Sequence, residues 1–184
     1  TPDMARWNVN SFLAYGIKAI THFCWVAPAY VSPADGGEGM MDFVVNTDGT
    51  KTALYEPMRK VNWQTRQLGS LLMQMDVAHA YHAGTVAQGA EALPKNFLLQ
   101  PSNSSDNLVF SLAYGKNDKD IYVMVFNNET DGEEKTYNVN VDLSSGVKSL
   151  TRYGTDEFDE TPDLFAPLPA LKETEVDISG GNFS

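Results

Sequence analysis

Few residues of the chain have the types and the spacing that catalysis requires. His22 and Cys24 lie two apart in an apolar segment, so a strand would place both side chains on the same side. No further acid or base accompanies the pair, and we interpret Cys24 as a buried, unreactive thiol. Because Cys24 is the only cysteine of the 184 residues, an internal disulfide is excluded.

His79 and His82 have the three-residue spacing that metal ligands on a helix can have. No third ligand accompanies them, and we therefore expect neither a metal site nor a cofactor. Instead, one of the two imidazoles would stabilise the C-terminus of the predicted helix by interacting with its negative end. Asp35 and Glu38 lie in a Gly-rich stretch, where a turn-forming, solvated role is favoured over contact with a substrate.

An aromatic residue closes the apolar segment GIKAITHFCWVAPAY, residues 16–30. Residues 17–26 are largely apolar on both faces of a predicted strand, which is typical of a parallel sheet covered on both sides. Thr21, Phe23 and Trp25 point to one side of that strand. Trp25 would then stand where the strand leads into a loop.

Two helices must position this segment. Residues 1–15 are predicted to be helical, with Thr1 as N-cap and Gly16 as the stop. Residues 27–53 form a long loop rich in turn residues. Residues 55–80 carry an apolar stripe at helical spacing and are predicted to form a long helix. Trp63 lies on the polar face of that helix, where it either covers a second domain or stands exposed.

The periodicity changes in the second half of the chain. Residues 83–107 are interpreted as a linker. Residues 108–184 contain short alternating segments separated by turn residues, which is typical of an antiparallel β-sandwich. The predicted strands are 108–114, 120–128, 135–143, 147–154 and 174–179.

A single strand between two helices cannot satisfy its backbone groups or bury both faces alone. We therefore predict an α/β part followed by an all-β part, with residues 1–82 as the C-terminal portion of a (β/α)₈ barrel. An open doubly wound sheet is the rival fold, but it usually offers a glycine turn after a strand, whereas this strand leads into Trp-Val-Ala-Pro. We expect a fragment, with the sandwich lacking its final strand.

The order of these patterns resembles the last barrel repeat of retaining glycoside hydrolases of the β-galactosidase-like superfamily. The stretch LAYGIKAITHFCWVAP matches helix, glycine and eighth strand, and NTDGTKTALYEPMRKVNWQTRQLGSLL matches the loop and eighth helix. The helix pattern of that family is matched by Tyr55, Pro57, Asn62, Leu68 and Gly69. A small antiparallel β-sandwich often follows in this family.

The resemblance implies a part of an enzyme that cleaves O-glycosidic bonds in a carbohydrate substrate. Trp25 would be the aromatic platform for the sugar, with an inward-facing plug of the barrel as the alternative. The two catalytic glutamates of the family would lie before Thr1, so no catalytic residue is expected here and the chain alone should be inactive. Its partner would be the remainder of the barrel.

Composition and charge restrict the partners and the location that the chain can have. The net charge is −11, which disfavours nucleic acid and anionic membranes as partners. No apolar run reaches the length of a transmembrane helix, and no signal peptide is visible. Localisation is open, with a secreted or periplasmic location favoured. The sequons at Asn103, Asn128 and Asn182 would matter only in a secreted eukaryotic protein.

Two further hypotheses remain open at this point. The chain could be a non-catalytic carbohydrate-binding or cell-surface module in which the sandwich binds the ligand. That hypothesis predicts exposed aromatic residues among Tyr114, Tyr122, Tyr137 and Tyr153, although such spacing is more often found in cores or cross-strand pairs. The other hypothesis is a structural domain without a ligand, which leaves Trp25 and the long loop unexplained.

Overall fold

The structure is a computed structural model of the chain. It describes residues 2–22, 24–26, 43–116, 120–130, 135–155, 167–168, 170–179 and 182–183. The described residues form two α-helices and mainly antiparallel sheets. The helices are α1 (Pro2–Ala14) and α2 (Tyr55–Met73). The strands are β1 (Met75–His82), β2 (Glu91–Ala92), β3 (Leu99–Pro101), β4 (Leu108–Gly115), β5 (Ile121–Asn127), β6 (Val139–Val141), β7 (Leu150–Gly154), β8 (Lys172–Val176) and β9 (Asn182–Phe183).

Helix α1 agrees with its prediction. Gly16 has a φ of 83°, and its N–H donates to the Leu13 carbonyl at 2.9 Å. The Ile17 N–H donates to the Phe12 carbonyl at 3.0 Å, so this turn satisfies two of the last carbonyl groups of the helix. A glycine is required there because a side chain in the left-handed region is strained, and an added Cβ would lie 3.0 Å from that of Val77.

The predicted strand over 17–26 is wrong for the residues that the structure describes. Residues 17–22 and 24–25 belong to no strand, and Val26 forms only an isolated parallel bridge with Val45. Phe23 lies outside the described residues. Among the described strands, none pairs with residues 17–22, and most of their side chains are exposed instead of buried on both faces.

Helix α2 is shorter than predicted. It ends at Met73, and the residues that follow form β1 instead of the last turns of a helix. β1 pairs with β4 in an antiparallel ladder and with β2 in a parallel one. This pairing satisfies the backbone on both sides of β1, and tertiary context of this kind overrides local helix propensity. His79 and His82 therefore lie on a strand.

Two sheets share the largest apolar core. The first has the strand order β2-β1-β4-β5, and the second has the order β3-β6-β9. The predicted linker over 83–107 contains β2 and β3, and the first sheet joins strands from both sides of it. β4 and β5 match the predicted strands to within one residue at each end, whereas β6 and β7 are shorter than predicted and β8 begins and ends earlier. The shared core contains Ala83, Phe97, Leu99, Leu108, Phe110, Leu112, Val139 and Val141.

Alternation along β4 separates the two faces of the first sheet. Leu108, Phe110 and Leu112 belong to the core shared with the second sheet. Val109 belongs to a different cluster, which includes Ala14 of α1, and Ser111 points to the same side as Val109. The first sheet is thus covered by the second sheet on one face and by α1 on the other.

The two helices pack against each other through a third apolar cluster. Its buried members are Val9, Leu13, Val44, Met58 and Val61. Helix α1 therefore lies between α2 and the first sheet. Among the described helices, none is both long and apolar enough to cross a membrane. β7 and β8 form a separate two-stranded sheet.

Candidate functional site

Trp25 lies in a bend beyond the strand-free residues 17–22 that follow α1. The Val45 N–H donates to the Trp25 carbonyl at 3.1 Å, which fixes the backbone beside Val44. The side chain is half-buried and packs, together with Ile20, against the apolar cluster between α1 and α2. Trp25 is therefore held by the helix pair while part of its side chain remains accessible.

The neighbours of Trp25 supply polar groups. The His22 ring lies 6.1 Å from the Trp25 ring, centre to centre, with the planes tilted by 52°. His22 and Thr21 are exposed. An indole face offers apolar contact to the C–H face of a sugar ring, and an imidazole beside it offers a hydrogen bond. This pair is a combination that can contact a carbohydrate.

The other residues weighed in the sequence analysis add no contact to Trp25 within the part of the chain that the structure describes. Cys24 is a free thiol of intermediate burial. Asp35 and Glu38 lie outside the described residues. Within the described ranges, no group of three or more His, Cys, Asp or Glu residues is placed to hold a metal ion.

His79 and His82 are on opposite faces of the first sheet. His79 is the register partner of Leu112, which faces the shared core, whereas His82 is the partner of Val109, which faces α1. The ladder is irregular between Val77 and His79, but its register is continuous from His79 to His82, so residues three apart there face opposite sides. The two imidazoles therefore cannot bind one ion.

Each histidine has its own partner. His79 Nδ1 lies 3.0 Å from Glu91 Oε2, and the ring stacks on Tyr81 with a centroid distance of 5.0 Å and an angle of 10°. His82 Nε2 lies 2.8 Å from the hydroxyl of Tyr15, the residue after α1. Burial lowers the pKa of His82.

Contacts between α1 and the first sheet were not foreseen from the sequence. Ser111 Oγ donates to the Ala14 carbonyl at 2.6 Å, and this hydrogen bond is buried. Trp7 Nε1 donates to Asn128 Oδ1 at 2.7 Å. We call this region the α1–sheet junction. It comprises Arg6, Trp7, Ala14 and Tyr15 on one side and His82, Ser111, Asn128 and Glu129 on the other.

Glu129 is the charged centre of the polar part of this junction. Its carboxylate accepts hydrogen bonds from Lys135, from Asn107 Nδ2 at 3.2 Å and from the Tyr137 hydroxyl at 3.2 Å. These bonds, above all the one from Lys135, lower the pKa of Glu129. Its backbone carbonyl accepts from Arg6 at 3.1 Å, which ties the same loop to α1.

Two lysines bind the C-terminus of α2. Lys18 Nζ donates to the carbonyls of Leu72 at 2.6 Å and Met75 at 2.8 Å. Lys116 Nζ donates to the Met73 carbonyl at 3.2 Å. Partial burial and then the charge of Lys116 lower the pKa of Lys18. These cations complement the negative end of the helix, which fixes the segment before Trp25 to the end of α2.

Trp63 is half-buried, and its Nε1 is buried without a hydrogen-bond partner in the described part of the chain.

The α1–sheet junction had only a weak signal in the sequence. Its contacts are made by residues of α1, among them Trp7, and by the residue that follows the helix. Trp7 and Asn128 are 121 residues apart, so no local pattern relates them. The sequon residue Asn128 is thereby engaged, whereas Asn103 is exposed.

No protein-family model, no curated protein and no solved structure matches this chain.

Proposed function

We propose that this chain is the C-terminal part of a glycoside hydrolase that cleaves O-glycosidic bonds. Trp25 contributes an aromatic platform for the sugar. The first and second sheets support the pair of helices α1 and α2. The catalytic carboxylates come from residues outside this chain. The partners are a carbohydrate substrate and the remainder of a (β/α)₈ barrel.

The observation that carries the proposal is the state of residues 17–22. Three of these six residues are apolar, Ile20 packs against the cluster between the two helices, and no described strand pairs with the segment. Ile17 is 45% exposed and Val26 is 47% exposed. The proposal treats this segment as one barrel strand whose neighbouring strands come from outside this chain, since a strand needs partners for its backbone groups.

The position of Trp25 supports the second part of the proposal. In a barrel, residues at the C-terminal ends of the strands line the active site. Trp25 follows residues 17–22 in the chain, is half-buried against the helix pair and has His22 beside it. The supporting role of the sheets rests on the α1–sheet junction, where Ser111 and Asn128 bind α1 directly.

A full reading frame containing this chain is the material for the test. We expect the product of that frame to hydrolyse an aryl glycoside from a panel of neutral sugars, and the 184-residue chain to be inactive. Trp25→Ala should lower kcat/KM by about tenfold or more, which corresponds to about 1.4 kcal/mol of lost transition-state binding. Trp63→Phe, on the other side of α2, is the matched control and should retain activity.

Two results would overturn the proposal. One is a reading frame without two carboxylates at predicted strand ends upstream of Trp25. The other is a Trp25→Ala enzyme with unchanged kcat/KM on every substrate that the parent hydrolyses.

A second candidate is a non-catalytic carbohydrate-binding module, and one surface favours it. The stacked His79–Tyr81 pair lies beside the Glu91 carboxylate, and Tyr114, which is exposed, is diagonal to His79 across the ladder. This surface predicts sugar binding by the chain alone. Binding of neutral oligosaccharides that Tyr114→Ala abolishes and Trp25→Ala does not affect would favour it over the first proposal.

A further inference from the structure

His82 is a buried ionisable residue that neither proposed function uses. It is 8% exposed, on the α1-facing side of β1. Its Nε2 lies 2.8 Å from the Tyr15 hydroxyl, while its Nδ1 is buried without a partner among the described residues. One nitrogen is therefore satisfied by the chain that leaves α1, and the other is not.

This geometry tolerates the neutral imidazole and opposes the cation. A neutral ring with its proton on Nε2 donates that N–H to the Tyr15 hydroxyl oxygen and leaves Nδ1 unprotonated. A protonated ring carries two N–H groups, so Nδ1–H would be buried with no acceptor among the described residues. Adding the proton thus places an uncompensated charge in the junction.

We propose that the contact between Tyr15 and His82 is a pH-sensitive latch, which holds α1 on the first sheet at neutral pH and releases it under acidic conditions. The proposal does not depend on the glycoside hydrolase assignment. It concerns how firmly α1 is docked, and so how the helix pair that carries Trp25 is attached to the sheets.

The ionisable groups around His82 do not offset this charge. The residues that face it from β4 and β2 are Val109 and Ala92, neither of which ionises. From α1 and its end, Tyr15 is the group in contact. The remaining ionisable groups of β1, β2 and β4 have other partners or positions: His79 with Glu91, Asp76 with Lys116, and Tyr81 and Tyr114 toward the other face of the sheet.

The direction of the pH effect follows from the lowered pKa of His82, which burial causes. An undocked His82 takes up a proton near its ordinary pKa of about 6.5, whereas a docked one resists it. Docking is therefore fully supported above about pH 6.5 and weakens as the pH falls toward the docked pKa. Glu129, the junction carboxylate, has a lowered pKa and stays ionised in this range.

Hydrogen exchange followed by mass spectrometry, on the 184-residue chain between pH 7.5 and pH 5, tests the latch. After correction for intrinsic exchange rates, α1 amides should exchange faster at pH 5, by up to roughly 30-fold, the limit that the ordinary histidine pKa sets. Amides of β4 and β5 should keep their protection. His82→Gln cannot titrate and should remove this pH dependence from α1.

His79→Gln is the matched control, because His79 lies on the same strand but on the opposite face. It should leave the pH dependence of α1 unchanged. If His82→Gln does not fold, an NMR titration of labelled histidines in the unaltered chain replaces it, and His82 should remain neutral well below pH 6.5. The latch is refuted if His82 titrates at an ordinary pKa, if α1 exchange is independent of pH, or if His82→Gln leaves the pH dependence in place.

Discussion

Two segments of this chain start from similar positions and end in different states. Residues 17–26 follow α1 directly, and β1 follows α2 directly. Both are mostly apolar, and both contain histidine. Yet β1 has a ladder on each side, whereas residues 17–22 have none.

The difference lies in the neighbours and not in the segments themselves. β1 pairs with β4 over most of its length, so its backbone groups are satisfied within the chain. Residues 17–22 have more strand-like composition, but the described residues supply no partner for them. A strand is therefore a property of a pair, and apolar alternation states only that a segment can join one.

The largest test of this comparison is Phe110→Ala. Phe110 is fully buried in β4, opposite Tyr81 of β1, and packs edge-on against Phe97. Removing the ring should lower the free energy of unfolding by about 3–5 kcal/mol, measured by urea denaturation. Phe12→Ala, on the exposed side of α1, should cost less than about 1 kcal/mol. Equal losses in the two variants would contradict the claim that stability resides in the paired sheets.

A smaller test concerns the attachment of α1 to those sheets. Ser111→Ala removes the donor to the buried Ala14 carbonyl and should cost about 1–3 kcal/mol, because that carbonyl is left unsatisfied. Ser102→Ala removes an exposed hydrogen bond to Asn140 and should cost much less. The measurement is the urea concentration at the midpoint of unfolding, which should be lower for Ser111→Ala than for Ser102→Ala. Equal midpoints would mean that α1 docks by other contacts.

The loss of folding stability at low pH offers a third test. The folded state lowers the pKa of Glu129, so its contribution is present above the unfolded pKa of about 4.3 and is lost as the pH falls through the lower folded value. Glu129→Gln should therefore flatten the loss of stability between about pH 5 and pH 3, by a small amount because ion pairs near the surface are screened. Glu175→Gln, on exposed β8, controls for net charge. If the parent and Glu129→Gln lose stability equally as the pH falls, this carboxylate has no structural role.

The smallest effect is expected in the unpaired segment. Ile17→Thr keeps the branched side chain at an exposed site and should change the free energy of unfolding by no more than about 0.5 kcal/mol. Val109→Thr makes the equivalent change at a fully buried site and should cost about 1–3 kcal/mol, since its hydroxyl has no partner. Thermal denaturation of both variants suffices. A large loss in Ile17→Thr would mean that the segment is packed more tightly than its exposure indicates.

Much of the fold was predictable where the signal is local. Helix α1 and its stop at Gly16 were predicted from the periodicity and the glycine, and most of the later strands from alternation between turns. The end of α2 was not, because its apolar stripe continues through Leu72 and Met75 into a segment that suits helix and strand alike. Only the pairing of β1 with β4 decided between them.

The candidate site, like the fold, could be predicted from the sequence only in part. The position of Trp25 at the end of an apolar segment is visible in the sequence. Its contact with His22 and its packing against the helix pair are not. The contacts of the α1–sheet junction join residues that are 67 to 123 positions apart, and no spacing rule reaches that far.

By itself the sequence determined the acidic charge, the helical first segment with its glycine stop, and the alternating strands of the second half. These features depend on neighbouring residues and on backbone preferences within a few positions. Tertiary structure alone decided that β1 is a strand, that residues 17–22 are not, and that α1 is held on the sheet by Ser111, Asn128 and His82. Those outcomes require a partner from a distant part of the chain, and a residue pattern cannot show whether that partner is present.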